Sequence, residues 1–131
     1  MKRFLLILAL LLTASAILTQ TAWAQGMRVH ARLVAEDRAV APGGTTTIAL
    51  VEDIAPGWHT YWKNPGDAGA PTRIEWKLPD GWKAGDIQWP RPKRLPVGPL
   101  MDYGYEGTLW LPVAVTAPAD AKPGDTVTLR A

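Results

Sequence analysis

The aromatic residues of this chain are densest in one stretch, which leads directly into a turn sequence: Gly57-Trp58-His59-Thr60-Tyr61-Trp62-Lys63-Asn64-Pro65-Gly66-Asp67. We call residues 57–67 the aromatic stretch. Its last four residues favour a turn, because proline fixes φ and glycine allows positive φ. Two interpretations are open: a core strand that ends at a turn, since Trp and Tyr bury large areas, or a surface loop that contacts a partner.

The pattern around this stretch predicts an all-β fold. Twelve prolines interrupt the chain, and the apolar residues between them recur with period two. This pattern predicts an antiparallel β-sandwich with no helix longer than a turn or two after residue 25. The predicted strands are 28–36, 45–52, 58–62, 73–78, 86–89, 108–116 and 126–131, with an irregular connection over 90–99. The strand at 86–89 is short and bounded by proline, which favours the edge of a sheet.

The strand alternation also predicts which side chains share a face. In the aromatic stretch, Trp58, Thr60 and Trp62 should lie on one face, with His59 and Tyr61 on the other. If the stretch acts as a lid, at least one of its large side chains must be exposed while others anchor it. In the last predicted strand, Val127 and Leu129 should point inward.

The N-terminus predicts export. Lys2 and Arg3 precede an apolar run over 4–12, and Ala22-Trp23-Ala24 is typical of a signal-peptidase site. The apolar run is shorter than the ~20 residues of a spanning helix. We therefore expect a cleaved signal peptide over 1–24, one domain over 25–131, and no direct membrane insertion after cleavage.

The charge balance argues against nucleic acid as a partner. Without Lys2 and Arg3, twelve basic residues face twelve acidic ones, and no Lys/Arg stripe supports a phosphate footprint. The basic cluster at 91–94 is interpreted as a solvated loop.

The residue inventory excludes several kinds of chemistry. The chain has no cysteine, and its single serine is Ser15, so Ser- and Cys-nucleophile mechanisms are excluded for residues 25–131. Glu52 and Asp53 are interpreted as a solvated strand end. A copper site from His59, Met101 and Met27 is conceivable, but their spacing shows no cluster. The sequence predicts no catalytic residue, no metal and no cofactor.

The chain resembles the periplasmic N-terminal domain of the thiol:disulfide interchange protein DsbD, especially the variant family called suppressor of copper sensitivity protein B. The resemblance covers essentially residues 29–131. It lies in the aromatic stretch and in three further motifs: Ile87-Gln88-Trp89-Pro90, Pro96-Val97-Gly98-Pro99 and Tyr103-Gly104-Tyr105-Glu106-Gly107.

This resemblance implies an immunoglobulin-like sandwich in the periplasm, with a link to cytochrome c biogenesis. In the family that the chain resembles, the domain has two redox cysteines, which take electrons from a membrane-embedded donor domain and pass them to periplasmic thiol-redox proteins. It also implies a cap over the cysteines at 58–67, with Tyr103 and Tyr105 near their pocket. The candidate cap or partner-contact residues are Trp58, His59, Tyr61, Trp62, Asn64, Asp67, Tyr103 and Tyr105.

The sequence departs from the family pattern in having no cysteine. We expect a sandwich that is incomplete at its C-terminus, because residues 126–131 break off within a strand pattern. One hypothesis is the scaffold and cap-loop part of a disulfide reductase, which docks redox partners but is not redox-competent alone. The alternative is a free-standing exported binding module that uses the same aromatic stretch and has a link to copper tolerance.

Overall fold

The computed structural model describes residues 26–131, and the regular elements among them are all β-strands. The predicted signal peptide lies outside the described residues. Within the described part there is no helix, and so none that could cross a membrane. The strands are β1 (Val29–Ala35), β2 (Thr45–Ile54), β3 (Thr60–Gly66), β4 (Lys83–Ile87), β5 (Lys93–Val97), β6 (Leu100–Tyr105) and β7 (Thr108–Thr116).

The strands form two antiparallel sheets that pack on one another. Sheet A has the order β1-β2-β7-β4, and sheet B has the order β3-β6-β5. Tyr105 and Trp62 of sheet B pack against Ile54, Leu109 and Leu111 of sheet A. The predicted all-β sandwich is therefore confirmed.

β2 and β7 form the centre of sheet A. Leu50 pairs with Leu111 and Ile48 pairs with Val113, so the inward side chains of both strands line up in rows. Val113 and Val115 are fully buried, and each such side chain contributes roughly 1.5–3 kcal/mol through burial. The strand predicted at 108–116 is confirmed, and it supplies four buried core residues, Leu109, Leu111, Val113 and Val115.

Two predictions near the aromatic stretch are wrong. The strand does not end at the Asn64-Pro65-Gly66-Asp67 sequence, because β3 runs through it to Gly66. The connection predicted as irregular over 90–99 contains β5. β5 tolerates Pro96 because it is an edge strand, and an edge strand can place a residue without an N–H on its unpaired side.

The segments 73–78 and 126–131, both predicted as strands, meet only in one isolated bridge. In that bridge the Lys77 amide donates to the Arg130 carbonyl at 2.8 Å. Ile74, Trp76 and Leu129 nevertheless pack on the inner face of sheet A. The predicted inward direction of Leu129 is right, whereas Val127 is 42% exposed and does not point inward as predicted.

The edge strand predicted at 86–89 lies slightly earlier in the chain. It is β4, which pairs only with β7 at the side of sheet A. Trp89 falls outside it and packs on the core instead. The predicted edge position is thus confirmed, and its bounds are shifted.

Candidate functional site

A β-bulge shapes the middle of the aromatic stretch. Thr60 pairs with Tyr105 and Tyr61 with Gly104, and the register resumes only where Gly66 meets Asp102. Five residue steps on β3 therefore oppose two on β6, so residues 62–65 arch out of the ladder. The arch also accommodates Pro65, which has no N–H to donate to a partner strand.

Backbone contacts with β6 close the bulge at its far end. Gly66 has a φ of 97°, and a Cβ on it would collide with the Met101 carbonyl oxygen. Beside it, the Asp67 amide donates to that carbonyl at 3.1 Å, and the Asp67 Oδ2 accepts from the Met101 amide at 2.8 Å. Asp67, predicted as a partner contact, thus has a structural hydrogen bond, although it remains exposed.

A buried carboxylate fastens the residues that follow. Asp102 is only 2% exposed, and its Oδ1 accepts a hydrogen bond from the Ala68 amide at 3.0 Å. Sequence reasoning missed Asp102, because its role depends on Ala68 being brought to β6 by the bulge.

His59 and Tyr61 lie together, as the alternation predicted. Their rings meet edge to face with centroids 4.9 Å apart. The Tyr61 ring also occupies the place that a side chain on Gly69 would take. The Nε2 of His59 and the Oγ1 of Thr60 are buried without a hydrogen-bond partner among the described residues. Tyr61 and His59 therefore serve as anchors of the stretch.

Trp58 is the exposed member of the aromatic stretch. It is 44% exposed, and the Arg28 guanidinium lies 3.7 Å from its ring centroid. Its amide donates to the Ala55 carbonyl at 3.0 Å in the turn before β3. A cation over an indole face is a favourable contact, so Trp58 is held in place while much of its surface remains free.

Trp62 and Asn64 lie in the bulge with opposite surroundings. Trp62 is half-buried and packs against the core cluster of Ile54 and Leu109, and the Lys63 ammonium lies 5.5 Å from its ring centroid. Asn64 is exposed. Trp62 therefore anchors the bulge on the core, and Asn64 faces solvent.

Tyr105 is a core residue. Its hydroxyl donates to the Pro90 carbonyl at 2.8 Å, and its ring stacks on Trp89 with centroids 6.5 Å apart. Burial raises the pKa of Tyr105 to about 12. Tyr103 is half-buried, and its ring lies next to Gly66. Of the two tyrosines, Tyr103 is the one with accessible surface beside the bulge.

The structure does not bring His59 and Met101 together. His59 precedes the Thr60–Tyr105 pair at one end of the β3–β6 ladder, and Met101 lies beside the Gly66–Asp102 pair at the other. No group of three or more His, Asp or Glu side chains that could hold a metal ion occurs among residues 26–131.

The interpretation of Glu52 as part of a solvated strand end is wrong. Glu52 is 5% exposed, its Oε1 accepts from the Thr72 hydroxyl at 2.9 Å, and its Oε2 is buried without a partner among the described residues. Asp53 points the other way, where it accepts from Thr108 and pairs with Arg32. The alternation of β2 directs Glu52 inward, because its neighbours Ile48 and Leu50 face the core.

The site as assembled contains one exposed aromatic side chain, Trp58, and a bulge whose ends are tied to β6. The structure brings Tyr61, Asp67 and Tyr103 to the β3–β6 pair, whereas Trp58 lies apart at the start of β1. The sequence offered no signal for the Arg28 contact, because Arg28 and Trp58 are far apart along the chain and meet only through the fold.

Comparison with known proteins identifies the family. Residues 30–131 match the family described as thiol:disulfide interchange protein DsbD, N-terminal. Among solved structures, the fold is similar to that of the N-terminal periplasmic domain of ScsB from Proteus mirabilis, with a TM-score of 0.55 and 25% sequence identity. That match covers 76% of this chain and 38% of the solved one, so this chain spans less than two fifths of its length. A search of curated proteins found no significant match. The chain belongs to the family of DsbD N-terminal domains.

Proposed function

We propose that this chain is the scaffold and partner-docking part of a periplasmic thiol:disulfide interchange domain. Family membership supports this proposal. Thiol–disulfide exchange needs a thiolate as the attacking group, and residues 1–131 contain no cysteine. In this proposal, residues 26–131 bind and position redox partners. The thiols that carry out the exchange lie outside residues 1–131.

The observation that carries the proposal is the setting of Trp58. A large aromatic side chain that is half exposed and already ordered loses little conformational freedom when a partner covers it. Trp and Arg are the residue types that most often dominate binding energy at protein interfaces. Arg28 and Trp58 supply one of each in direct contact.

The rest of the aromatic stretch supports Trp58 as a cap. Tyr61 packs against His59 and Gly69, and Trp62 packs on the core. The Asp67 and Asp102 hydrogen bonds fix the far end of the stretch. Trp58 and Asn64 then face outward toward a partner. The partners we propose are periplasmic thiol-redox proteins and a membrane-embedded electron-donor domain.

The test measures binding of a purified periplasmic thiol-redox protein from the same organism by isothermal titration calorimetry. We expect Trp58→Ala to weaken binding by at least about tenfold, which corresponds to a moderate interface hot spot. Trp110→Ala is the matched control. Trp110 is 48% exposed and also lies near an arginine, with Arg32 at 5.9 Å, but it lies on β7 of sheet A.

Equal losses for both variants, or none for either, would contradict a docking role for Trp58. If no thiol-redox protein from that organism binds the unaltered chain, the free-standing binding module becomes the better hypothesis.

A further inference from the structure

Two arginines at and before β1 each lie over an exposed tryptophan. The Arg28 guanidinium lies 3.7 Å from the ring centroid of Trp58, and the Arg32 guanidinium lies 5.9 Å from that of Trp110. The alternation of the strand places both arginines on one face, because Val29, which lies between them, packs on the core instead. All four side chains of the two pairs are exposed. The pairs therefore present similar groups, and they can be compared directly.

The Arg32 pair already contains a carboxylate. Asp53 lies opposite His30 on the neighbouring strand β2, and its Oδ2 is 3.5 Å from the Arg32 guanidinium. The Thr108 hydroxyl donates to the other oxygen of Asp53 at 2.9 Å. Both oxygens of Asp53 are therefore engaged, and the positive charge beside Trp110 is balanced within the chain.

Arg28 has no such carboxylate. All twelve Asp and Glu residues of the sequence lie within residues 26–131, and none of them forms an ion pair with Arg28. The residue opposite Arg28, directly after β2, is Ala55, whose amide donates to the Arg28 carbonyl at 2.8 Å. The positive charge beside Trp58 is therefore not balanced by any side chain of residues 26–131.

A guanidinium can contact an aromatic ring and a carboxylate at the same time. Its flat face stacks on the ring, whereas its N–H donors lie in its plane and match the two carboxylate oxygens. Contact with Trp58 restricts the Arg28 side chain, so less conformational freedom is lost when a carboxylate binds. A partner that covers the indole also removes water from the charges, which strengthens their attraction.

We propose that Arg28 selects docking partners that carry a carboxylate beside the apolar group that covers Trp58. This inference rests on the proposed docking role of Trp58. The apolar group packs on the exposed part of the indole, and an Asp or Glu carboxylate of the partner accepts two hydrogen bonds from the guanidinium. Arg28 is thus a specificity-determining residue, and the partner surface that meets it is acidic.

The first test measures how the affinity for the periplasmic thiol-redox protein depends on charge. Calorimetry compares Arg28→Gln with the unaltered chain at two salt concentrations. We expect the substitution to weaken binding by about tenfold at low salt. The loss should be clearly smaller at about 1 M NaCl, because salt screens the charge pair. If Arg28 only kept Trp58 in place, the loss would be the same at both concentrations.

Arg38→Gln is the matched control. Arg38 is also exposed and forms no ion pair within residues 26–131, but it lies beyond the far end of β1. Its substitution removes the same charge and should change the affinity by less than about twofold. Arg28→Lys keeps the charge without the planar guanidinium, so it should recover only part of the affinity.

These variants separate the failure of one proposal from the failure of the other. If Trp58→Ala weakens binding and Arg28→Gln does not, the docking role stands and the selection of a carboxylate is wrong. Equal losses for Arg28→Gln and Arg38→Gln would show a general effect of charge and would also overturn the inference. If neither Trp58→Ala nor Arg28→Gln weakens binding, both proposals fail.

A second test needs no protein partner. The blocked peptides Leu-Glu-Leu and Leu-Gln-Leu have nearly the same shape and differ in charge. NMR titrations of the chain follow the Arg28 Nε–H and the Trp58 indole N–H signals. We expect the Glu peptide to shift both signals with an affinity at least about threefold higher than that of the Gln peptide. The preference should disappear in Arg28→Gln and remain in Arg38→Gln.

Equal affinities of the two peptides, or no binding of either, would overturn the proposal. The same titration on the complete gene product shows whether another part of the same protein already supplies the carboxylate. Loss of the preference there would assign Arg28 to a contact within the protein and would also overturn the proposal.

Discussion

Tyr105 shows how a single buried residue can couple stability to pH. Its hydroxyl donates to the Pro90 carbonyl, and burial raises its pKa from an ordinary value of 10 to about 12. The unfolded chain releases this proton at a lower pH than the folded chain does. Between these two pH values the folded state binds more protons, so stability must fall as the pH rises.

We therefore predict that the free energy of unfolding of the wild-type chain declines from pH 10 toward about 12, and that Tyr105→Phe declines less steeply. At neutral pH the variant should be less stable by about 0.5–1.5 kcal/mol, because it loses one hydrogen bond. Urea titrations at several pH values measure both effects. If the free energy of unfolding fell equally with pH in the two proteins, the pH dependence would not be caused by Tyr105.

The bulge of β3 depends on a glycine at its end. Gly66 has positive φ and also leaves no room for a Cβ beside the Met101 carbonyl. Gly57, just before the strand, has positive φ as well, but a Cβ there would contact nothing. Alanine at position 57 therefore tests only the energetic cost of positive φ. Alanine at position 66 tests that cost together with the cost of a steric clash with β6.

We predict that Gly57→Ala destabilises the domain by roughly 1–2 kcal/mol, the cost of a left-handed residue with a side chain. Gly66→Ala should cost about 1–3 kcal/mol more, because the strand must also move away from β6. Urea midpoints and slopes of the two variants give the comparison. Equal losses would mean that β3 shifts freely and that the bulge is not held by β6.

At the level of elements, local pattern predicted some strands and could not predict others. Alternating apolar residues predicted β1, β2 and β7, because side chains on one face of each strand pack on the core clusters. β5 was missed because Pro92 and Pro96 suggested an irregular loop, and only the position at a sheet edge makes Pro96 compatible with a strand. Segments 73–78 and 126–131 have strand patterns, but a pattern cannot tell whether a backbone partner is present.

For the molecule as a whole, the six tryptophans within residues 26–131 divide between surface and interior. Trp58 and Trp110 are exposed, whereas Trp62, Trp76, Trp82 and Trp89 are half-buried and pack on the two core clusters. The sequence predicted that, if the aromatic stretch acts as a lid, at least one of its large side chains is exposed while others anchor it. It could not predict which one, because exposure depends on where sheet A lies relative to β3.

We predict that 19F NMR of the chain labelled with 5-fluorotryptophan shows this division. A soluble paramagnetic agent should broaden the Trp58 and Trp110 signals more strongly than those of the four packed tryptophans. Single Trp→Phe substitutions at positions 58, 62, 89 and 110 assign the four signals on which the test depends. Strong broadening of the Trp62 or Trp89 signal would contradict the packing of sheet B on sheet A.

The pairing of β2 with β7 also sets when the domain can fold. This central pair joins Thr45 to Thr116. β2 therefore cannot pair with β7 until two segments that are about 70 residues apart in the chain come together. A loop of that length must close before the rows of Val, Ile and Leu contact one another, and folds dominated by such distant pairings form in roughly milliseconds to seconds. Until then the apolar side chains of β2 remain uncovered, which leaves a long interval in which chaperones can bind the unfolded chain.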